Sequence, residues 1–173
     1  MRRTCLRLLL AVALIPLGGC ADPATLQGAP EATVLAKETA TPPVPVLRLG
    51  QEAAIDLFGN GLAGVTVTGA ELSPQAAGRE HLVVTVDIKL LKAGKPVTGG
   101  PENFVFRDNA QATHPAQVSD QAASPRLRAV NFTTVGQASH GRFFFDVPKG
   151  TASGGYVQLV TGKLVHAVWQ FKT

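Results

Sequence analysis

The chain has 173 residues, with 16 Lys and Arg against 12 Asp and Glu and only two cysteines. Three of the basic residues and none of the acidic ones fall in residues 1–19, so from Cys20 onward the balance is thirteen to twelve. That near-neutral remainder lacks the basic excess that recruits nucleic acid, and its length suits one domain that buries a core without disulfides.

In chain order, Arg2, Arg3 and Arg7 precede an apolar run from Leu8 to Leu17 that closes on Gly18, Gly19 and Cys20. A basic start, a short apolar stretch and a small-residue end make a secretory signal over residues 1–19. The run is about half of the 20 or so apolar residues a membrane span requires, so it is expected to be cleaved. Leu17-Gly18-Gly19-Cys20 resembles the lipobox of bacterial lipoproteins. The resemblance implies cleavage between Gly19 and Cys20 and attachment of diacylglycerol to the Cys20 sulfur, with palmitate-type chains holding the mature protein on the extracytoplasmic face of the cell membrane. Two or three acyl chains anchor stably where one does not. Arg2-Arg3 is also similar to a twin-arginine export signal, but no Ser or Thr precedes the pair and Cys5 stands where a larger apolar residue is usual; a plain export signal is expected.

Residues 20–45 are rich in Ala, Pro and Thr and carry no sustained apolar period. They read as a disordered tether with a reach of about 25–30 Å. Residues 46–173 then alternate β-formers with Gly, Asn, Asp and Pro. Residues 46–49 are a weak strand candidate, and Ala53 to Phe58 fits either a strand or one helical turn. Val65 and Val67 alternate with Thr66 and Thr68. The clearest strand covers residues 81–91, with Leu82, Val84, Val86, Ile88 and Leu90 on one face and Val83, Thr85, Asp87 and Lys89 on the other. Further candidates are residues 104–107 and 130–134, then Phe143, Phe145 and Val147 alternating with Phe144 and Asp146. Residues 156–160 follow, and last come Val165, Ala167, Trp169 and Phe171 alternating with His166, Val168 and Gln170. Turn residues separate them at 58–64, 92–96, 98–103, 147–150 and 153–155. This is the signature of an all-β fold, an antiparallel sandwich of about seven to nine strands.

The order GVTVTGAEL, long alternating strand, FVFRDN, GRFFFDVPKG and a closing strand with a Trp resembles the immunoglobulin-like domain of unknown function common in cell-surface lipoproteins of actinobacteria. The resemblance covers about residues 47–171, and its most specific piece is residues 141–150. That family is related to secreted mycobacterial immunogenic proteins, and some members carry a misleading telomeric-repeat-binding label. It implies an immunoglobulin-like fold and an envelope location, and it supplies no catalytic residues. The paired cysteines of antibody domains are missing here, so only the architecture transfers.

Nucleophile elbows, zinc-protease motifs and metal-like His spacings are absent, so no enzyme, cofactor or metal is expected. His81, His114, His140 and His166 stand singly, and Asp87 and Asp146 fall on polar strand faces. Tyr156 and Trp169 are candidates for a ligand groove, although the phase of Trp169 puts it in the core. Residues 109–129 are long for a hairpin connection, and such loops on rigid scaffolds carry binding. His114, Arg126 and Arg128 are therefore the candidate binding residues, against the simpler reading of a mobile loop. The function expected is a non-enzymatic binding module of the cell envelope, anchored to the membrane and meeting an envelope protein or ligand through loops or an exposed strand edge. The alternatives are a carrier of a small hydrophobic ligand between the sheets and a small secreted hydrolase.

Overall fold

In the computed structural model, which describes residues 43–56, 61–119 and 123–172, the alternating segments become strands. The expected signal peptide, the Gly19–Cys20 processing and lipidation site and the tether up to residue 42 lie outside the described residues. Eleven strands are present among them: β1 (Val46–Leu47), β2 (Glu52–Asp56), β3 (Leu62–Pro74), β4 (Arg79–Lys92), β5 (Val97–Gly99), β6 (Phe104–Arg107), β7 (Thr113–Pro115), β8 (Val130–Phe132), β9 (Ala138–Pro148), β10 (Tyr156–Thr161) and β11 (Leu164–Gln170). The first sheet has the order β1-β11-β10-β6-β7 and the second β2-β3-β4-β9, while β5 and β8 pair apart from both.

The two sheets close on one core. From the second sheet come Leu82, Val84, Val86, Ile88 and Leu90 of β4 with Phe143, Phe145 and Val147 of β9, all buried as their alternation requires. From the first come Phe104, Phe106, Val157, Leu159, Ala167 and Trp169. Phe104 meets Phe143 at 4.9 Å between ring centroids and Phe106 meets Phe145 at 5.6 Å, so aromatic pairs tie sheet to sheet. Each such pair contributes about 0.5–1.5 kcal/mol beyond its buried area. Trp169 is fully buried, and its indole N–H donates to the Gln51 carbonyl at 2.9 Å, which satisfies the one polar atom it takes inside.

Several elements differ from the sequence expectation, each for a local reason. The Ala53 segment is a strand, pairing Ala53 with Val65 and Ile55 with Ala63, and both side chains enter the core. β1 runs parallel to β11, while the other strand pairs among the described residues are antiparallel. The reason is that the chain leaves β1 through a tight turn at residues 48–51, with Gly50 at φ 85°, and crosses directly to the other sheet. Thr98 and Gly99, expected within a turn, form β5 with Val97 against β8, and β7 lies inside the expected long loop. In β10 and β11 the register shifts between Leu159 and Val160, so Val160 pairs with Val165 but Leu159 with Ala167. His166 is the extra residue of that bulge; it leaves the outer row and its Nε2 lies 2.5 Å from the Thr161 hydroxyl, lining the cleft between the sheets.

The outer face of β4 and β9 is also less wet than alternation predicts. Val83 and Phe144 are buried there with Ala123, in a small second cluster. The cover is the segment expected as a loop, which lies along the free edge of β9. Gln117 exchanges both backbone hydrogen bonds with Phe144 at 2.8 and 2.9 Å, and Leu127 N–H donates to Arg142 at 2.9 Å before the Leu127 side chain enters the main core.

Candidate interaction face

The three loop residues singled out in the sequence do not converge. His114 sits on β7 at the edge of the first sheet, where its Nε2 is 2.9 Å from Oδ2 of Asp108 and its ring lies 6.2 Å from that of Phe106. Arg126 and Arg128 are exposed on the segment that lies along β9, Arg126 beside Arg142. Asp108 is only 1% exposed, and its other oxygen accepts the Ala112 amide at 2.8 Å, so the Asp108–His114 pair locks the turn between β6 and β7. Burial pushes the Asp108 carboxyl up, but the hydrogen bonds from His114 and the Ala112 and Ala110 amides, with the His114 charge, outweigh it and hold the carboxyl below its ordinary value.

Nor do the two aspartates considered for acid/base work meet. Asp87 pairs with His140 across the strands and Asp146 with Arg79, and the two positions are six residues apart along the β4–β9 ladder, about 20 Å. Arg142 completes the row through an ion pair with Glu71. Most charges on the outer face of the second sheet are therefore paired across its own strands.

The outer face of the first sheet has the opposite character. Because Val157, Leu159, Ala167, Trp169, Phe104 and Phe106 point inward, the intervening residues point out. Register places Val46, Val168, Gln158, Val105 and Pro115 in one row across the strands, and Gln170, Tyr156, Arg107 and Thr113 in the next. Nine outward positions hold one charge, Arg107, and no carboxylate. Val46 is 67% exposed. A shallow groove of about 300 Å³ runs over this face, with Gln111 from the β6–β7 turn at its rim. Depletion of Lys, Asp and Glu beside Tyr and Arg is the composition of an interface core.

The sheet edges are less available. Pro43 and Pro45 precede β1, β7 ends on Pro115, β2 carries Glu52 and Asp56, and the segment described above covers β9. Proline and charge on an edge block strand addition. Between the sheets, the cleft beside the β5–β8 pair is apolar but leaves only about 50 Å³, against roughly 300 Å³ or more for an ordinary ligand site. Of the two aromatic residues considered for a groove, Trp169 is core and Tyr156 lines the outer groove.

No family model matches the chain, and no curated protein matches it. Among solved structures it is similar to MPT63, a secreted protein from Mycobacterium tuberculosis, with a TM-score of 0.60 at 18% identity, over 76% of this chain and 100% of that one. The fold is a β-sandwich. An uncharacterized β-sandwich protein from Clostridium difficile 630 also aligns, at 12% identity and a TM-score of 0.49 over 75% of this chain and 95% of that one. Within this sandwich, sequence reasoning looked to the loops and strand edges; it raised Tyr156 as a groove residue but not the residues around it. A tally of charge on each strand face would have pointed to the groove, since Tyr156, Gln158, Val160, Val168 and Gln170 are all uncharged.

Proposed function

We infer that the chain is an exported lipoprotein, anchored through Cys20, whose sandwich is a non-enzymatic binding module of the cell envelope. The observation that carries the reading is the contrast between the two outer faces: one pairs most of its charges across its own strands, while the other presents a groove with a single charge, Arg107, and unused polar groups. The leader and lipobox of residues 1–20 support export and anchoring, and MPT63 is a secreted protein of similar fold. A carrier of hydrophobic ligands is disfavoured by the 50 Å³ cleft. A hydrolase gains nothing from the histidines, which have different partners: Phe144 for His81, Asp108 for His114, Asp87 for His140 and Thr161 for His166.

One experiment in living cells tests both halves of the reading. Cells receive a fatty-acid analogue and express the chain with a photo-crosslinking residue at Gln158 or, as a control, at Lys89 on the second sheet. The expected result is label on the wild-type chain and none on Cys20→Ser, with adducts formed from Gln158 and not from Lys89. Equal label on wild type and Cys20→Ser would remove the anchor, and equal adduct yields from the two positions would remove the binding face.

A further inference from the structure

The groove over the first sheet is lined by polar side chains whose hydrogen-bonding capacity the protein does not use. Gln111, Gln158 and Gln170 offer primary amides, Tyr156 a phenol and Arg107 a guanidinium. None of the five side chains has a hydrogen-bond or ion-pair partner among the described residues. Val46 and Val168 supply apolar surface between them.

That combination selects a ligand chemistry by exclusion. A hydrocarbon chain would cover three amides without pairing them, which costs free energy. A phosphate-rich polymer needs several cations, and only Arg107 is present. A divalent cation needs carboxylates, and none lines the groove. An amide both donates and accepts, and so does a hydroxyl, so the three glutamines match a polyhydroxylated ring. The C–H face of such a ring would rest on Tyr156 and the valines.

Gln111 adds a second, independent observation. Its φ is 68°, in the left-handed region that Gly or Asn adopts with less strain. A long amide side chain kept at such a position is local strain of the kind associated with function. The turn that holds it is fixed from beneath, since Gln111 N–H donates to the Asp108 carbonyl at 3.0 Å and the Asp108 side chain is bonded to Ala112 and His114.

We propose that this groove binds a glycan strand bearing carboxylates, with its rings on Tyr156 and the flanking valines, its hydroxyls on the three glutamine amides and a carboxylate on Arg107. The proposal deepens the envelope-module reading and rests on it for the choice of a bacterial wall glycan as probe.

The test is co-sedimentation of the full lipidated chain, held in detergent micelles, with purified peptidoglycan sacculi, whose glycan strands bear peptide stems with free carboxylates, and with chitin, a neutral polymer of related rings. Sacculi should retain the chain. Tyr156→Ala and the isosteric Gln158→Glu should each lower retention by about tenfold or more, the second by repulsion from the ligand carboxylate. Arg107→Gln should reduce retention on sacculi to the level seen on chitin, and Thr66→Ala on the second sheet should leave it unchanged. All four side chains lie outside the core, so unchanged unfolding midpoints would separate lost binding from lost folding. Failure of the wild type to sediment with either polymer, or wild-type retention by Tyr156→Ala and Gln158→Glu together, overturns the glycan proposal. If Gln158 still forms adducts with a protein in cells under that outcome, the binding face stands with a different partner; if it forms none, the face falls too.

Discussion

Along β4, Val86 has no exposed surface while Thr85 beside it faces outward and is half-buried, as a period of two demands. Val86→Ala removes buried methyl groups and leaves a cavity, which should cost about 1–3 kcal/mol, whereas Thr85→Ala should stay within about 0.5 kcal/mol. Denaturant unfolding of the two variants measures the difference, and a larger loss from Thr85→Ala would put the strand one residue out of register. At this scale the sequence was legible wherever one face met the core. It was not legible at Val83 and Phe144, which alternation places outside and the structure buries with Ala123. Period reports which face a side chain takes, and it carries no information about a distant segment that covers that face.

Elements were readable where alternation was bounded by clear turn residues. β4, β6 and β10 appear close to their expected bounds, β3 and β9 run well beyond the residues read for them, and β5 and β7, three residues each, were hidden among Gly and Pro. Residues 116–119 and 123–127 show what composition alone conceals: with no sustained alternating apolar period, they still behave as an edge cover for β9. Their close approach depends on Gly141, where a Cβ would collide with the backbone of Leu127. Gly141→Ala should therefore push the segment off β9 and cost about 1–3 kcal/mol as an overpacked site. Hydrogen exchange is the decisive measurement, because the Leu127 amide, bonded to Arg142 at 2.9 Å, should lose protection before the amides of β4 do. Unchanged protection at Leu127 would mean that the segment is held by something other than this contact.

At the scale of the whole molecule, the candidate face depends on strand order, β1-β11-β10-β6-β7, which joins residues more than 100 positions apart and cannot be read from local pattern. The same long-range assembly sets how the protein responds to acid. Two carboxyls from different sheets are held below their ordinary value: Asp108 as described, and Asp146 chiefly by the hydrogen bond from Arg79, which outweighs its burial, with further help from the charges of Arg79, His81 and His114. A carboxyl with a lowered value in the folded state binds fewer protons there than in the unfolded chain, so stability rises with pH across that window. The contribution is complete above about pH 4 and is lost as the pH falls through the folded values. Urea midpoints measured from pH 6 down to pH 2 should therefore hold nearly level at first and then drop. In Asp108→Asn/Asp146→Asn the starting midpoint should be lower and the drop shallower, because those two groups no longer titrate. An equal drop in the double variant would assign acid sensitivity to other carboxyls and remove these two from the account.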